Sequence, residues 1–150
     1  MVGFRRILVL CTGNICRSPL AEAILRQNLG NDFYVESAGL GALVGHGADP
    51  FSIATAKEIG LDLETHRAQQ VSDSMLRASD LVLVMTTHQK TEVETLWPWT
   101  RGKVWRIGHW EGFDVDDPYQ NPLEAFKQAR QFLETSCRSW ATRLSAGVKK

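Results

Sequence analysis

Short apolar segments of strand length alternate along this chain with longer segments rich in helix-forming residues. The segments 7–10 and 80–85 are typical of strands that are buried on both faces of a parallel sheet. A further strand is predicted at 33–36, and a weaker strand pattern occurs at 104–107. Helices are predicted between the strands: 20–29 opened by Pro19 and stopped by Gly30, 50–59 closed by Gly60, a short one capped by Ser72 and running to Ala78, 87–96, and a last one from Pro122.

The last predicted helix has the clearest amphipathic pattern in the chain. Its apolar residues recur at steps of three, four or seven, namely Leu123, Phe126, Leu133, Cys137, Trp140 and Leu144. Strands that alternate with helices imply right-handed βαβ units. We therefore predict an α/β fold with a single domain over residues 1–150, in which helices flank a central, doubly wound, four-stranded parallel sheet. Ligands of such sheets bind beyond the carboxyl ends of the strands, and the first of these ends is at Cys11.

Charge and composition exclude several classes of function. The chain has 17 basic and 17 acidic residues and no long run of one sign, so we expect no binding to nucleic acid. No segment approaches the roughly 18 apolar residues of a membrane span, and we expect no signal peptide in residues 1–10, because their apolar run is short and interrupted by arginine. We therefore expect a cytoplasmic protein without membrane insertion; the pattern does not specify an oligomeric state.

The three cysteines of the chain predict reduced thiols rather than a disulfide framework, and no Cys/His cluster suggests a metal site. Cys11 is followed, after five residues, by Arg17, between a predicted strand and the start of a helix. The intervening backbone N–H groups can converge on one phosphate, and the helix adds its partial positive charge. The same field favours the thiolate of a cysteine, so Cys11 is predicted to be a nucleophile.

Four residues of this segment have predicted roles. Arg17 can hold two phosphoryl oxygens with its planar fork of donors, and Gly13 permits close approach of the backbone. Asn14 tolerates the left-handed conformation that a tight anion nest needs, and Ser18 can donate to the sulfur of Cys11. Two other loop types are excluded, because the segment lacks the Gly-Lys-Ser/Thr end of a nucleotide-binding P-loop and the glycine spacing of a Rossmann loop.

Cys16 lies in the same loop, and a nearby thiol can capture an oxidised cysteine as a disulfide before its oxidation becomes irreversible. Cys16 is therefore predicted to protect Cys11, with packing beneath the loop as the alternative. Ordinary burial of both cysteines is the alternative to any chemistry at this loop.

Displacement of an alcohol or phenol by a thiolate needs a proton for the departing oxygen, so a carboxylic acid should face Cys11. Asp114, Asp116 and Asp117 are the candidates. Asp117 is predicted to be the acid because Pro118 restrains the backbone of the preceding residue. A solvated acidic turn is the alternative for the other two.

These segments together resemble the low-molecular-weight protein tyrosine phosphatases. The resemblance spans nearly the whole chain and rests on residues 11–19, Asp117-Pro118-Tyr119, Glu36-Ser37-Ala38-Gly39 and His66-Arg67-Ala68. It implies hydrolysis of phosphotyrosine through a cysteinyl-phosphate intermediate, without a cofactor or a metal. It also implies that Thr12, Gly13, Asn14, Ile15, Cys16 and Ser18 form the phosphate-binding loop, and that Ser37 and His66 hydrogen-bond Asn14.

The segment 37–45 resembles the bacterial members of this family found with capsule and exopolysaccharide export systems. That resemblance implies a phosphotyrosine protein as partner, namely a membrane tyrosine autokinase. Eukaryotic relatives have an aromatic residue in this loop where this chain has Leu43, which leaves Tyr119 as the aromatic wall of the pocket.

Two rival functions share this loop. An arsenate reductase of the same fold needs a further cysteine pair after the central strand, but the third cysteine, Cys137, falls on the apolar face of the last helix. A catalytically silent phosphotyrosine-binding module would have lost the nucleophile or the acid, whereas Cys11, Ser18 and Asp117 are all present.

Overall fold

A computed structural model describes residues 3–146 of the chain. The four strands are β1 Arg6–Cys11, β2 Tyr34–Gly39, β3 Leu81–Val84 and β4 Val104–Arg106. The five α-helices are α1 Arg17–Leu29, α2 Pro50–Lys57, α3 Asp73–Ala78, α4 Thr87–Leu96 and α5 Leu123–Ala146. Short 3-10 turns at Gly30–Asp32 and Pro98–Thr100 complete the regular structure. No helix within residues 3–146 combines the length and apolarity that a membrane crossing needs.

The strands form the predicted four-stranded parallel sheet, and their order in the sheet is β2-β1-β3-β4. Side chains of β1 alternate between two cores, so that Ile7 and Val9 face one core while Leu8 and Leu10 face the other. The helices α1, α2 and α5 cover the first core, and α3 and α4 cover the second. Burial on both faces is the reason why the strands read as continuous apolar runs rather than alternating patterns.

The predicted ends of several elements needed correction. The helix expected to open at Pro19 begins at Arg17, because N–H groups of a first turn have no intrahelical acceptor and proline is tolerated there. The strand expected at 33–36 extends to Gly39, where β2 still pairs with Cys11. The helix expected at 50–59 ends at Lys57. The strand β1 extends one residue beyond each end of the predicted segment 7–10, whereas β3 and β4 are shorter than the predicted segments 80–85 and 104–107.

Helix caps position the loops around the carboxyl end of the sheet. Ser72 caps α3 as predicted, because its hydroxyl accepts from the N–H of Met75. The carboxylate of Asp49 caps α2, and the hydroxyl of Thr86 caps α4 directly after β3. Such caps accept hydrogen bonds that the first turn of a helix cannot satisfy internally. The segments that lead into α2, α3 and α4 therefore end at fixed positions.

Candidate active site

The loop between β1 and α1 is held against the segment that follows β2. The N–H groups of Leu40, Gly41 and Leu43 donate to the carbonyl oxygens of Cys11, Thr12 and Gly13, at 2.9, 2.9 and 3.1 Å. Gly39 permits this approach, because a Cβ at that position would lie 2.6 Å from the carbonyl oxygen of Thr12. With its carbonyls facing away in this manner, the loop leaves its N–H groups for an anion.

Asn14 organises the loop from beneath. It is fully buried and has φ of 59°, the left-handed conformation expected for it. The Nδ2 of Asn14 donates to Ser18 Oγ at 2.8 Å and to Ser37 Oγ at 3.0 Å. His66 Nε2 donates to the backbone carbonyl oxygen of Asn14 at 2.7 Å. The N–H of Gln69 donates to its Oδ1 at 2.9 Å. Every polar group of this side chain is therefore used, which keeps the strained backbone in place.

The direction of these hydrogen bonds orients the hydroxyl beside Cys11. Ser37 Oγ donates to the carboxylate of Glu22 at 2.6 Å, so it must accept from Asn14. Ser18 Oγ also accepts from Asn14, which leaves its own hydrogen for the sulfur of Cys11, 2.9 Å away. A hydroxyl held in this orientation stabilises a thiolate better than a thiol.

Arg17 is almost fully buried beside the loop. Its Nη1 donates to the carbonyl oxygen of Val115 at 2.7 Å, and its Nη2 lies 3.5 Å from Oδ2 of Asp117. Its Nε is buried and has no hydrogen-bond partner in the part of the chain described. A buried guanidinium N–H without a partner is costly, and because Arg17 lines the same cavity as Cys11, a ligand oxygen bound there can satisfy this donor.

The three candidate acids have different environments. Asp117 is half-exposed, lines the cavity that contains Cys11, and accepts from the N–H of Tyr119 at 3.1 Å. Asp114 was expected to be solvated, but it pairs with Arg106 at 3.0 Å and accepts from Thr87. Burial raises the pKa of Asp114, but the hydrogen bonds from Arg106 and Thr87 outweigh burial and hold that pKa below its ordinary value. A carboxyl of lowered pKa is a poor proton donor at neutral pH.

One cavity of about 170 Å³ brings most of the predicted site residues together. Its floor is formed by the loop, and Ile15, Leu43 and Tyr119 supply apolar side walls. Asn14, Ser18, Ser37 and His66 lie outside its lining and contact the loop from beneath. Gly13 has no positive φ, and a Cβ there would meet only ordinary contacts, so the close approach of its backbone to a ligand stays a prediction.

The other two cysteines are buried thiols. Cys16 packs with Ile15, Ala68 and Phe126, and burial raises its pKa, as do the charges of Asp49 and Asp117. This environment favours the packing alternative for Cys16, while protection of Cys11 stays a prediction. Cys137 is fully buried on α5, and burial raises its pKa as well. Cys137 therefore packs in the core, as its place on the apolar face of the last predicted helix indicated.

Four supporting residues escaped the sequence interpretation. They are Glu22, Gln69, Gln89, which donates to Thr12 Oγ1 at 3.3 Å, and Val115, which acts through its carbonyl oxygen. Of these four, only Glu22 could have been identified from the sequence, because it is a carboxylate one turn after Ser18 on the helix that follows the loop. Among residues 3–146, no group of three or more His, Cys, Asp and Glu side chains is arranged to hold a metal ion.

Sequence comparison relates this arrangement to known enzymes. The family described as "Low molecular weight phosphotyrosine protein phosphatase" matches residues 6–150 of the chain. The low molecular weight protein-tyrosine-phosphatase Wzb of Escherichia coli K12 is 46% identical over 144 residues, which cover 95% of this chain and 97% of Wzb.

Structural comparison gives the same relationship. The structure of Vibrio vulnificus Wzb in complex with benzylphosphonate has a TM-score of 0.91 and 39% identity, and the match covers 95% of this chain and 100% of that chain. The YwlE arginine phosphatase of Geobacillus stearothermophilus has a TM-score of 0.89 and 32% identity, with 95% and 94% covered.

Proposed function

This chain belongs to the low molecular weight protein-tyrosine-phosphatases, and we propose that it hydrolyses phosphotyrosine in two steps through a phosphorylated Cys11. One observation carries the mechanism: Cys11, Arg17 and Asp117 line the same cavity, whose side walls are apolar. A nucleophile, a cation and an acid in one small cavity are the groups that transfer of a phosphoryl group from a phenol requires.

In the first step, the sulfur of Cys11 attacks phosphorus and the bond from phosphorus to the tyrosine oxygen breaks. Asp117 gives its proton to the departing phenolate oxygen, so that a neutral phenol leaves. The loop N–H groups and the Nε of Arg17 bind the equatorial oxygens, on which the transition-state charge is spread.

In the second step, a water molecule attacks phosphorus and the bond from phosphorus to sulfur breaks. The carboxylate of Asp117 takes a proton from this water, and inorganic phosphate leaves. The hydroxyl of Ser18, directed at the sulfur by Asn14, stabilises the thiolate as it departs. No metal takes part, so activity is expected to persist in the presence of a chelator.

The covalent intermediate has a direct test. Incubation with ¹⁸O-labelled inorganic phosphate should exchange its oxygen into water, because reversal of the second step forms phosphocysteine and releases water. The Asp117→Asn variant should exchange much more slowly. Wild-type enzyme that hydrolyses phosphotyrosine without any exchange would indicate direct attack by water and would contradict the two-step mechanism.

Replacement of Asp117 by asparagine is expected to lower kcat/KM for phosphotyrosine, which reports the first step, by roughly 10²- to 10⁴-fold, the usual loss for a general acid. The loss should be smaller for p-nitrophenyl phosphate, whose leaving group needs less protonation. Asp116→Asn is the matched control, since Asp116 is exposed and does not line the cavity. An equal loss for both substrates would remove Asp117 from the role of acid.

Leu43→Trp is expected to lower KM for small aryl phosphates by roughly three- to tenfold, because an aromatic pair would enclose the substrate ring. Leu43 and Tyr119 line the cavity, and the N–H of Leu43 is bound to the loop at 3.1 Å. Tyr119→Ala should raise KM. The neighbouring Val44 is more exposed and does not line the cavity, so Val44→Trp serves as control. An unchanged or raised KM for Leu43→Trp, with an intact fold, would show that Leu43 is not a wall of the substrate site.

The likeness to an arginine phosphatase makes phosphoarginine the substrate to compare. The apolar walls formed by Ile15, Leu43 and Tyr119 match the faces of a phenyl ring, whereas a guanidinium also needs partners for its N–H groups. Phosphotyrosine peptides should therefore have the higher kcat/KM, and the reverse order would assign the chain to phosphoarginine.

We further propose that the physiological partner is a membrane tyrosine autokinase of a capsule or exopolysaccharide export system, dephosphorylated in the cytoplasm. Similarity to Wzb and the resemblance of the segment 37–45 to bacterial family members support this partner. Cys11→Ser protein incubated with phosphorylated membranes should retain that kinase. The double variant Cys11→Ser, Arg17→Ala should not retain it, and retention of no phosphotyrosine protein by the single variant would count against the proposal.

A further inference from the structure

A second groove lies beside the catalytic cavity. It has a volume of about 300 Å³ and is bordered by α2, the segment 119–121 and the start of α5. Pro50, Phe51, Tyr119 and Phe126 form its apolar surface, and Asp49 borders it. Tyr119 also lines the catalytic cavity, so this single ring separates the two depressions.

Hydrogen bonds within the segment 117–121 fix the backbone that carries Tyr119. The N–H of Tyr119 donates to Oδ1 of Asp117 at 3.1 Å, and the N–H of Asn121 donates to the carbonyl oxygen of Pro118 at 2.9 Å. Gln120 has φ of 66°, and within residues 3–146 the only other residue besides glycine with a positive φ is Asn14 of the phosphate loop. Such conformations persist where the surrounding structure over-determines them, which is common at binding sites.

The floor of the groove is aromatic and open to solvent. The ring of Phe51 meets the ring of Phe126 edge-on, with centroids 5.3 Å apart and an interplanar angle of 78°. Phe126 is buried, but 41% of Phe51 remains exposed, as does 43% of Tyr119. Two half-exposed rings that face one concave surface can bury further apolar area without any rearrangement.

We propose that this groove binds an apolar side chain of the substrate protein, located within two residues of the phosphotyrosine; this inference rests on the proposed function. In an extended segment, side chains recur on the same face every second residue, about 6.6 Å apart. A substrate chain that crosses Tyr119 can therefore place its phosphotyrosine in one depression and a nearby apolar side chain in the other.

The charge at the groove disfavours acidic residues beside the phosphotyrosine of the substrate. The carboxylate of Asp49 is fixed at the start of α2, where its Oδ1 accepts from the N–H of Phe51 at 2.9 Å. An acidic side chain of the substrate would be repelled by this carboxylate and would gain nothing from the rings. The groove therefore selects apolar over acidic residues beside the phosphotyrosine.

A set of phosphotyrosine peptides tests this selection. Each peptide carries glycine on both sides of the phosphotyrosine except at one position, from two residues before to two after, which holds Phe, Leu, Ser or Glu. At one of these positions at least, Phe or Leu should raise kcat/KM over Ser by roughly three- to tenfold, the scale of partial burial of one apolar side chain. Glu at that position should lower it.

Two variants of Phe51 locate the effect. Phe51→Ala should reduce the preference for Phe over Ser to near unity, and Phe51→Lys should reverse the order of Phe and Glu. Leu96→Ala is the matched control, because it removes an exposed apolar side chain at the end of α4, on the opposite face of the sheet, and should keep the preference. Thermal unfolding of each variant shows that the fold is retained.

The outcomes separate this inference from the proposed function. If wild-type enzyme hydrolyses the all-glycine phosphotyrosine peptide but does not distinguish Phe from Ser at any position, the groove does not bind substrate. A preference that survives in Phe51→Ala would place the contact elsewhere. A change of oligomeric state on Phe51→Ala, without a change of preference, would show that a second copy of the chain covers the groove. Failure to hydrolyse the glycine peptide at all would overturn the proposed function together with this inference.

Discussion

Serine in place of Cys11 is expected to reduce hydrolysis of aryl phosphates to the background of the assay while phosphate binding remains. A serine hydroxyl stays protonated at neutral pH and is a weak nucleophile without an adjacent base. The polar neighbour of Cys11 is the hydroxyl of Ser18 at 2.9 Å, which is directed to donate rather than to accept a proton. The loop N–H groups and Arg17 are unchanged by the substitution, so the variant should still bind phosphate.

Two measurements separate chemistry from binding in this variant. Steady-state kcat for p-nitrophenyl phosphate reports the chemistry, and the rise in unfolding temperature on addition of phosphate reports binding. Cys137→Ala is the matched control, since it removes a thiol that is fully buried on α5, away from the cavity. Turnover by Cys11→Ser close to that of the wild type would show that another group attacks phosphorus.

Lysine in place of Arg17 is expected to lower kcat by roughly 10³- to 10⁵-fold, the range over which an arginine accelerates phosphoryl transfer. Lysine keeps the charge but loses the planar fork that donates to two oxygens at once. It also cannot keep the geometry seen here, in which one arm of the guanidinium is held by the carbonyl oxygen of Val115 while Nε is left for the ligand.

The Arg17→Lys variant also tests whether the arginine contributes to binding. The stabilisation by phosphate should fall with the activity, because the same donors hold the ground-state anion. Arg67→Lys is the control, since Arg67 is exposed and its Nη1 donates to the carbonyl oxygen of His66. Activity of Arg17→Lys similar to that of the wild type would contradict a role for the bidentate fork.

The sequence alone determined the class of fold. Strands buried on both faces appear as short apolar runs, and the long helix α5 shows its buried stripe at regular steps, so both can be recognised from residues close together in the chain. The alternation of these elements implied the parallel sheet, which the structure confirms. The spacing of Cys11 and Arg17 was also readable, since one loop and one helix start contain the whole pattern.

The ends of elements depended on tertiary contacts. Ala38 and Gly39 have low intrinsic preference for strands, yet both belong to β2 because each pairs with a residue of β1. The start of α1 could not be read from Pro19, since proline is compatible with several positions of a first turn. Pairing with β1 therefore sets the end of β2, and the hydrogen-bond pattern of the helix sets the start of α1.

The support of the loop and the second groove were decided by the tertiary structure alone. Val115 holds Arg17 through a carbonyl oxygen, and Gln69 holds Asn14 through an N–H. Nearly every residue carries these two backbone groups, so no residue type marks the ones that will be used. Phe51 and Tyr119 likewise lie 68 positions apart, as their numbers show, and only the packing of α2 beside the segment 117–121 brings them to one groove. A sequence pattern indicates the local structure of residues that are close together in the chain. These contacts join residues that are far apart in the chain, so they form only in the folded tertiary structure.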